Sequence, residues 1–136
     1  MKLVICAQDI RAISFGLVGE KGIQREETVE TQPEGYLAAL DQTLAQWNVV
    51  PSDLRGIIVV TGPGSFTASR VSTTIANGLA YTLVIPVVGI ENKDHVSMRD
   101  LPLQDLPVGS GHTLSSYDRP PEITTSRKRN GDNARD

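Results

Sequence analysis

The stretch GIIVVTGPGSFTASR, residues 56–70, leads from an apolar run through a glycine-proline-glycine turn into a helical pattern. The apolar run is typical of a strand covered on both faces of a sheet, and Ser65 follows the turn where its hydroxyl can cap a helix. Glycines and free N–H groups at a helix N-terminus are also the usual composition of an anion-binding loop. The stretch is therefore either a structural turn or an anion site. Its residues are Gly62, Pro63, Gly64, Ser65, Phe66 and Thr67.

Neither common nucleotide-binding motif is complete in this loop. A P-loop requires a lysine after its last glycine, and this chain has Ser65 there. A dinucleotide fingerprint requires a third glycine three residues past the second, and Thr67 occupies that position. The turn-and-cap interpretation is therefore favoured, and a small nucleotide- or phosphate-binding enzyme is the alternative.

Hydrophobic periodicity predicts the order β-β-β-α-β-α-β over residues 1–92. The second predicted strand places Ile13, Phe15 and Leu17 on one face and small residues on the other, where we expect close packing. A three-stranded meander followed by two right-handed crossovers is an α/β fold with a mixed five-stranded sheet, as in ribonuclease-H-like and actin-like half domains. The predicted strands are residues 3–7, 12–18, 23–30, 56–61 and 86–90, and the predicted helices are residues 31–47 and 65–83.

The first predicted helix has both a start signal and an apolar face. Thr31 and Glu34 stand at the spacing of a capping box, with Pro33 in the first turn. The apolar side chains that we expect on one buried face are Leu37, Leu40, Leu44 and Trp47.

The second predicted helix carries two rows of residues at a spacing of four. The large apolar row is predicted to face the sheet, and it consists of Val71, Ile75, Leu79 and Leu83. The small row beside it allows another helix to approach closely, either the chain's own first helix or a helix of another subunit. This small row consists of Ala68, Ser72, Ala76 and Ala80. Arg70, Thr73 and Asn77 complete the predicted partner interface.

Composition bounds the class of protein. At 136 residues the chain suits one domain, and its single cysteine, Cys6, excludes a disulfide framework and favours the cytoplasm. The net charge of −3 argues against tight binding of nucleic acid by this chain alone. No apolar run reaches the about 18 residues that a membrane-spanning helix needs, so we expect no membrane association. Residues 93–136 are polar and are predicted to be a largely unstructured tail.

The stretch from Gly62 to Ile90 resembles the signature region of the bacterial TsaB (YeaZ) family. The matching positions run from Gly62 to Thr67 and continue at Arg70, Gly78, Leu79 and Ala80. The resemblance covers about residues 1–92, and it implies an N-terminal lobe of the actin-like ATPase fold. The hexapeptide is specific, whereas the general fold hosts many unrelated activities.

The resemblance implies a non-catalytic scaffold in the synthesis of threonylcarbamoyladenosine beside the tRNA anticodon. Members of the family pair through their helices with the catalytic paralogue TsaD, or with a second copy, and act with the ATPase TsaE. Contact with tRNA would then be indirect. The resemblance implies no catalytic residue, metal or cofactor in this chain, and ATP is disfavoured.

The chain departs from the family pattern at several positions. Ala7 stands where the superfamily has a metal-binding aspartate, and Asp9 comes two residues later. Ala68 and Ser69 replace the usual glycine and leucine. We expect the family's second lobe to be missing, since only the polar tail follows residue 92. The chain is then a truncated variant, a divergent paralogue or a product of a frameshift, and a degenerate remnant without activity is a further alternative. The two histidines, His95 and His112, lack partner ligands at metal-binding spacing.

Overall fold

Strand β1 (Lys2–Cys6) forms the centre of a five-stranded sheet in the computed structural model, which describes residues 1–101 and 103. The predicted order β-β-β-α-β-α-β is confirmed, as is the α/β class with its mixed sheet. The other strands are β2 (Ala12–Gly19), β3 (Gly22–Glu30), β4 (Gly56–Gly62) and β5 (Val87–Glu91), and the two helices are α1 (Tyr36–Gln46) and α2 (Phe66–Leu83). Short 3-10 turns lie at Pro33–Gly35, Pro51–Asp53 and Met98–Asp100.

The strand order in the sheet is β3-β2-β1-β4-β5. Strands β1, β2 and β3 form the predicted antiparallel meander, whereas β1, β4 and β5 run parallel to one another. The carboxyl ends of these three parallel strands meet at one edge of the sheet. The order of the strands switches direction between β1 and β4, because β2 and β3 lie on one side of β1 and β4 and β5 lie on the other. This switch point is where α/β sheets usually bind their ligands.

Helices α1 and α2 cover one face of the sheet, and the larger hydrophobic core lies between them and the strands. Ile13, Phe15 and Leu17 point into this core, as their alternation in β2 predicted. From α1 the core receives Tyr36, Ala39, Leu40, Thr43 and Leu44, and Trp47 follows directly after the helix.

Two details of the α1 prediction are wrong. Leu37 is 63% exposed, because successive helical residues are about 100° apart and the buried face is centred between Tyr36 and Leu40. The predicted capping box does not form, since residues 33–35 make a 3-10 turn before α1 begins. Thr31 instead donates from Oγ1 to the carbonyl of Gln32 at 3.4 Å.

The second face of the sheet is covered by the segment that follows β5. Met98 and Leu103 are buried there against Val4, Val18 and Ile58. The thioether of Met98 lies directly over Gly16, so the predicted close packing on the small face of β2 is present. The predicted lobe boundary after Asn92 is therefore too early, because the following residues belong to a core.

The rest of the predicted tail, including His112, lies outside the described residues. Among the helices that the structure describes, none is long and apolar enough to cross a bilayer.

Candidate functional site

The loop between β4 and α2 lies at the carboxyl edge of the parallel strands. Gly62 has a φ of +135° and is joined to Pro63 by a cis peptide bond. Gly64 passes so close to the end of β1 that a Cβ atom added there would lie 2.5 Å from the carbonyl oxygen of Gln8. A side chain at position 64 would therefore displace the backbone of one of the two segments.

Ser65 caps α2, as predicted. Its Oγ accepts a hydrogen bond from the Ala68 N–H at 3.1 Å, and its own N–H donates to the carbonyl of Gln8 at 2.8 Å. Two N–H groups that an anion would need at this helix N-terminus are thus already bonded within the chain. The geometry favours the turn-and-cap interpretation of the loop.

Two amide side chains fill the space between the ends of β1, β4 and β5. Gln8 Nε2 donates to the carbonyl of Pro63 at 2.6 Å and to the carbonyl of Asn92 at 2.9 Å. Gln8 Oε1 accepts from Asn92 Nδ2 at 3.0 Å. The sequence interpretation missed both residues, although each is a polar residue that closely follows a parallel strand, and such residues meet at the same sheet edge.

Few carboxylates of the described residues lie near the loop. Glu91 pairs with Gly62 in the sheet, and its Oε1 lies 3.8 Å from Lys93 Nζ. Ala7, at the position of the superfamily aspartate, is buried. The neighbouring Asp9 binds Arg11 through both carboxylate oxygens, at 3.2 and 3.0 Å, and these hydrogen bonds hold the Asp9 pKa at about 2. Within residues 1–101 and 103, no group of three or more metal-ligating side chains comes together. His95 is exposed.

Helix α2 is rotated about its axis relative to the prediction, so that the small row and not the large row faces the sheet most directly. The small row faces the sheet, and its members Ala68, Ser72, Ala76 and Ala80 are at most 3% exposed. The large row is only half-buried along the flank of the helix. Because α2 lies directly over β4, whose side chains are branched, small residues let the helix approach the sheet closely.

The predicted partner interface must be corrected accordingly. The four small residues contact the chain's own core, so another molecule has no access to them in this fold. Thr73 is buried as well, and Asn77 is half-buried, with its Nδ2 donating to the Thr73 carbonyl at 2.9 Å. Of the seven residues assigned to that interface, Arg70 is the one that is exposed.

The outward face of α2 is the surface available to a partner. The Arg70 guanidinium lies over the Phe66 ring, 5.1 Å from its centroid, and Phe66 itself is 72% exposed. A groove of about 340 Å³ lies beside this pair, between Thr67 and Ile75. We define the outward face of α2 as the exposed residues Phe66, Thr67, Arg70, Thr74, Gly78 and Tyr81.

The groove continues past Thr67 and Val71 into a second one of about 610 Å³. Its other walls come from the β1–β2 loop, at Ile10 and Arg11, and from the turn before α1, at Pro33 and Glu34. The exposed surface beside α2 therefore extends from the helix to two neighbouring loops.

A protein-family model described as TsaD, tRNA N6-adenosine threonylcarbamoyltransferase, matches residues 19–108, about two thirds of the chain. The chain belongs to this family. It is 31% identical over 118 residues to tRNA N6-adenosine threonylcarbamoyltransferase from Syntrophotalea carbinolica, covering 81% of this chain and 33% of that relative. It is 30% identical over 99 residues to the tRNA threonylcarbamoyladenosine biosynthesis protein TsaB from Bacillus subtilis, covering 66% of this chain and 42% of that relative.

The solved structure of YeaZ from Pseudomonas aeruginosa has the same fold, with a TM-score of 0.58 and 23% identity over 67% of this chain and 43% of that one. The curated TsaB relatives support the predicted resemblance to the TsaB (YeaZ) family. The YeaZ structure confirms the predicted fold class. The chain spans about a third to two fifths of the length of the curated relatives that it matches.

Proposed function

We propose that this chain is a non-catalytic scaffold in the biosynthesis of tRNA threonylcarbamoyladenosine in the cytoplasm, and that it pairs with a TsaD-like protein through the outward face of α2. A TsaE-like ATPase and the tRNA would join through that complex. The similarity to curated TsaB proteins supports the pathway. The observation that supports the surface is a glycine within it, Gly78.

Gly78 has no explanation within the described part of the chain. A glycine in the middle of a helix costs about 1 kcal/mol relative to alanine. A Cβ atom at this position would meet nothing within 4 Å, and the residue is exposed. A helix of another molecule that crosses α2 closely at Gly78 would explain the glycine. Because glycine has no side chain, the surface of α2 is lower at that point and the second helix can approach.

The side chains around Gly78 have the composition of a contact surface. Thr74, one turn before it, is small, and Tyr81, one turn after it, is 82% exposed. The stacked pair of Phe66 and Arg70 stands at the other end of the face. Exposed aromatic residues and arginine are enriched at protein interfaces, where they bury a large area.

The chain's own side chains occupy the carboxyl edge of the sheet, which supports a binding role for this protein over a catalytic one. Gln8 and Asn92 fill the switch point where a substrate would enter such a fold, and Asp9 is engaged with Arg11. The alternative, a nucleotide- or phosphate-binding enzyme, has the loop sequence in its favour but not the loop geometry.

The test is the affinity of the full chain for the TsaD-like protein of the same host, measured by calorimetry with the variant Gly78→Gln. We expect at least a tenfold loss of affinity, since added bulk at the crossing point keeps the helices apart. The unfolding midpoint should not fall, because the outward side of Gly78 is open. The matched control is Ser52→Gln, which adds similar bulk at an exposed position away from α2.

Unchanged affinity in Gly78→Gln would contradict the proposed surface. Sedimentation of the chain alone shows whether the same face pairs two copies, since a homodimer through α2 would also dissociate in this variant. Saturable binding of ATP with Mg²⁺ by the isolated chain would instead support the phosphate-binding alternative.

A further inference from the structure

We infer that Gln8 and Asn92 form a latch that holds the first turn of α2, on one face of the sheet, in a fixed position relative to the segment 96–101 on the other face. The two residues lie 84 positions apart in the chain and meet at the switch point between the parallel strands. This inference concerns the isolated chain, so it stands or falls independently of any partner of α2.

On the α2 side, the latch holds the backbone of the loop at three points. Gln8 Nε2 donates to the Pro63 carbonyl at 2.6 Å, and the Asn92 N–H donates to the Gly62 carbonyl at 2.8 Å. The Ser65 N–H donates to the Gln8 carbonyl at 2.8 Å. The residues that begin the outward face of α2, Phe66 and Thr67, follow directly after these anchors.

On the other side, the latch holds the start of the segment that covers the second face. Asn92 Oδ1 accepts from the Val96 N–H at 3.0 Å, and Asn92 Nδ2 donates to the Val96 carbonyl at 3.0 Å. Two residues later Met98 is buried against Gly16. The position of Asn92 therefore determines where Met98 meets the sheet.

The two sides are connected because each amide uses all its N–H groups. Gln8 Nε2 divides its two donors between Pro63 and Asn92, and Asn92 Nδ2 divides its two between Gln8 and Val96. Asn92 is only 4% exposed, so a lost partner leaves a buried polar group without compensation. A change at Gln8 must therefore affect both the loop and Val96.

The test is hydrogen exchange by NMR on the full chain with the variant Gln8→Met, which has a similar shape but no amide. The acceptors of the Ser65 and Val96 amides, the Gln8 carbonyl and Asn92 Oδ1, are still present in this variant. A purely local effect would leave both amides protected. The latch predicts that both exchange about tenfold faster or more, while the amides of Ile5 and Val59 in the central strands change less.

A second variant, Gln8→Glu, tests the latch by rescue. A protonated carboxylic acid has one O–H donor, so it can replace one of the two hydrogen bonds that the Gln8 amide donates to the carbonyls of Pro63 and Asn92. The ionised form has no donor and places a carboxylate against both carbonyls. Protection of Ser65 and Val96 should therefore be partly restored at low pH and be lost as the pH rises through the pKa of the introduced carboxyl group. The titratable group in contact is the Cys6 thiol, whose pKa burial raises to about 11, so it stays protonated throughout.

Three outcomes would overturn the inference. The first is unchanged protection of Ser65 and Val96 in Gln8→Met, and the second is loss at one of these amides alone. The third is protection in Gln8→Glu that does not depend on pH. If Gln8→Met does not fold, the pH series with Gln8→Glu decides alone, because the same molecule is compared in its two protonation states.

Discussion

Gly64 and Gly78 lie on either side of the first turns of α2, and their surroundings differ. Gly64 packs on the backbone of Gln8, whereas the space outside Gly78 is open. The fold of this chain therefore requires a glycine at position 64. No contact among the described residues requires one at position 78. Substitution of Gly64 thus tests the packing of the loop, and substitution of Gly78 tests contact with a partner.

We predict that alanine has opposite effects at these two positions. Gly64→Ala should lower the free energy of unfolding by about 1 to 3 kcal/mol, because the new methyl group must displace backbone atoms. Gly78→Ala should raise it by about 0.5 to 1 kcal/mol through improved helix propensity. Urea unfolding of both variants beside wild type is the measurement. Equal stabilities of the two variants would be inconsistent with the described packing of the loop on β1.

At the scale of elements, α2 ends in a conformation that its sequence does not favour. Val84 follows the helix with φ 56° and ψ 52°, the left-handed region, and its side chain is 69% exposed. The Ile85 N–H donates to the Ala80 carbonyl at 3.0 Å and the Val84 N–H donates to the Tyr81 carbonyl at 3.3 Å. This is a Schellman cap, in which glycine is the usual residue at the position of Val84.

We predict that Val84→Gly stabilises the chain by about 1 kcal/mol, because a β-branched residue in the left-handed region is strained. Val50→Gly is the matched control, since Val50 is also an exposed valine but has a φ of −98°. The control should lose stability through the greater freedom of glycine in the unfolded state. Thermal unfolding followed by circular dichroism compares them, and a loss of stability in Val84→Gly would contradict the assigned cap.

The order of the elements was predictable because periods of two and of about four residues are local signals. The orientation of α2 was not, because its small and large rows have the same period and lie side by side. Hydrophobicity alone points the large row inward, but the close packing of α2 on β4 leaves room for alanine and serine there. Which row faces the sheet depends on the distance between α2 and β4, and a local sequence pattern does not specify that distance.

At the scale of the whole molecule, the sheet needs cover on both faces. The helices cover one face, and the segment after β5 covers the other with two buried side chains, Met98 and Leu103. This segment was predicted as part of a tail because its apolar residues stand singly among polar ones. Gln8 and Asn92 were not predicted for a related reason: they are 84 residues apart in the sequence, and only the folded sheet brings them together.

We predict that Met98→Ala lowers the free energy of unfolding by about 2 to 5 kcal/mol, because it leaves a cavity over Gly16. The control Val96→Ala lies in the same segment at 37% exposure and should cost about 1 kcal/mol or less. Chemical denaturation of the full chain measures both. Similar small losses in the two variants would show that Met98 does not hold the second core.

The position of β1 in the sheet has a consequence for synthesis on the ribosome. Lys2 pairs with Val18 on one side and with Gly56 on the other, so its two neighbours are 16 and 54 residues away. The meander can close while the chain is short, but the parallel edge of β1 stays open until β4 emerges. At ordinary translation rates this interval is roughly 3 to 11 seconds. During that time an apolar strand edge is exposed in the nascent chain, and protection from aggregation must come from outside the protein.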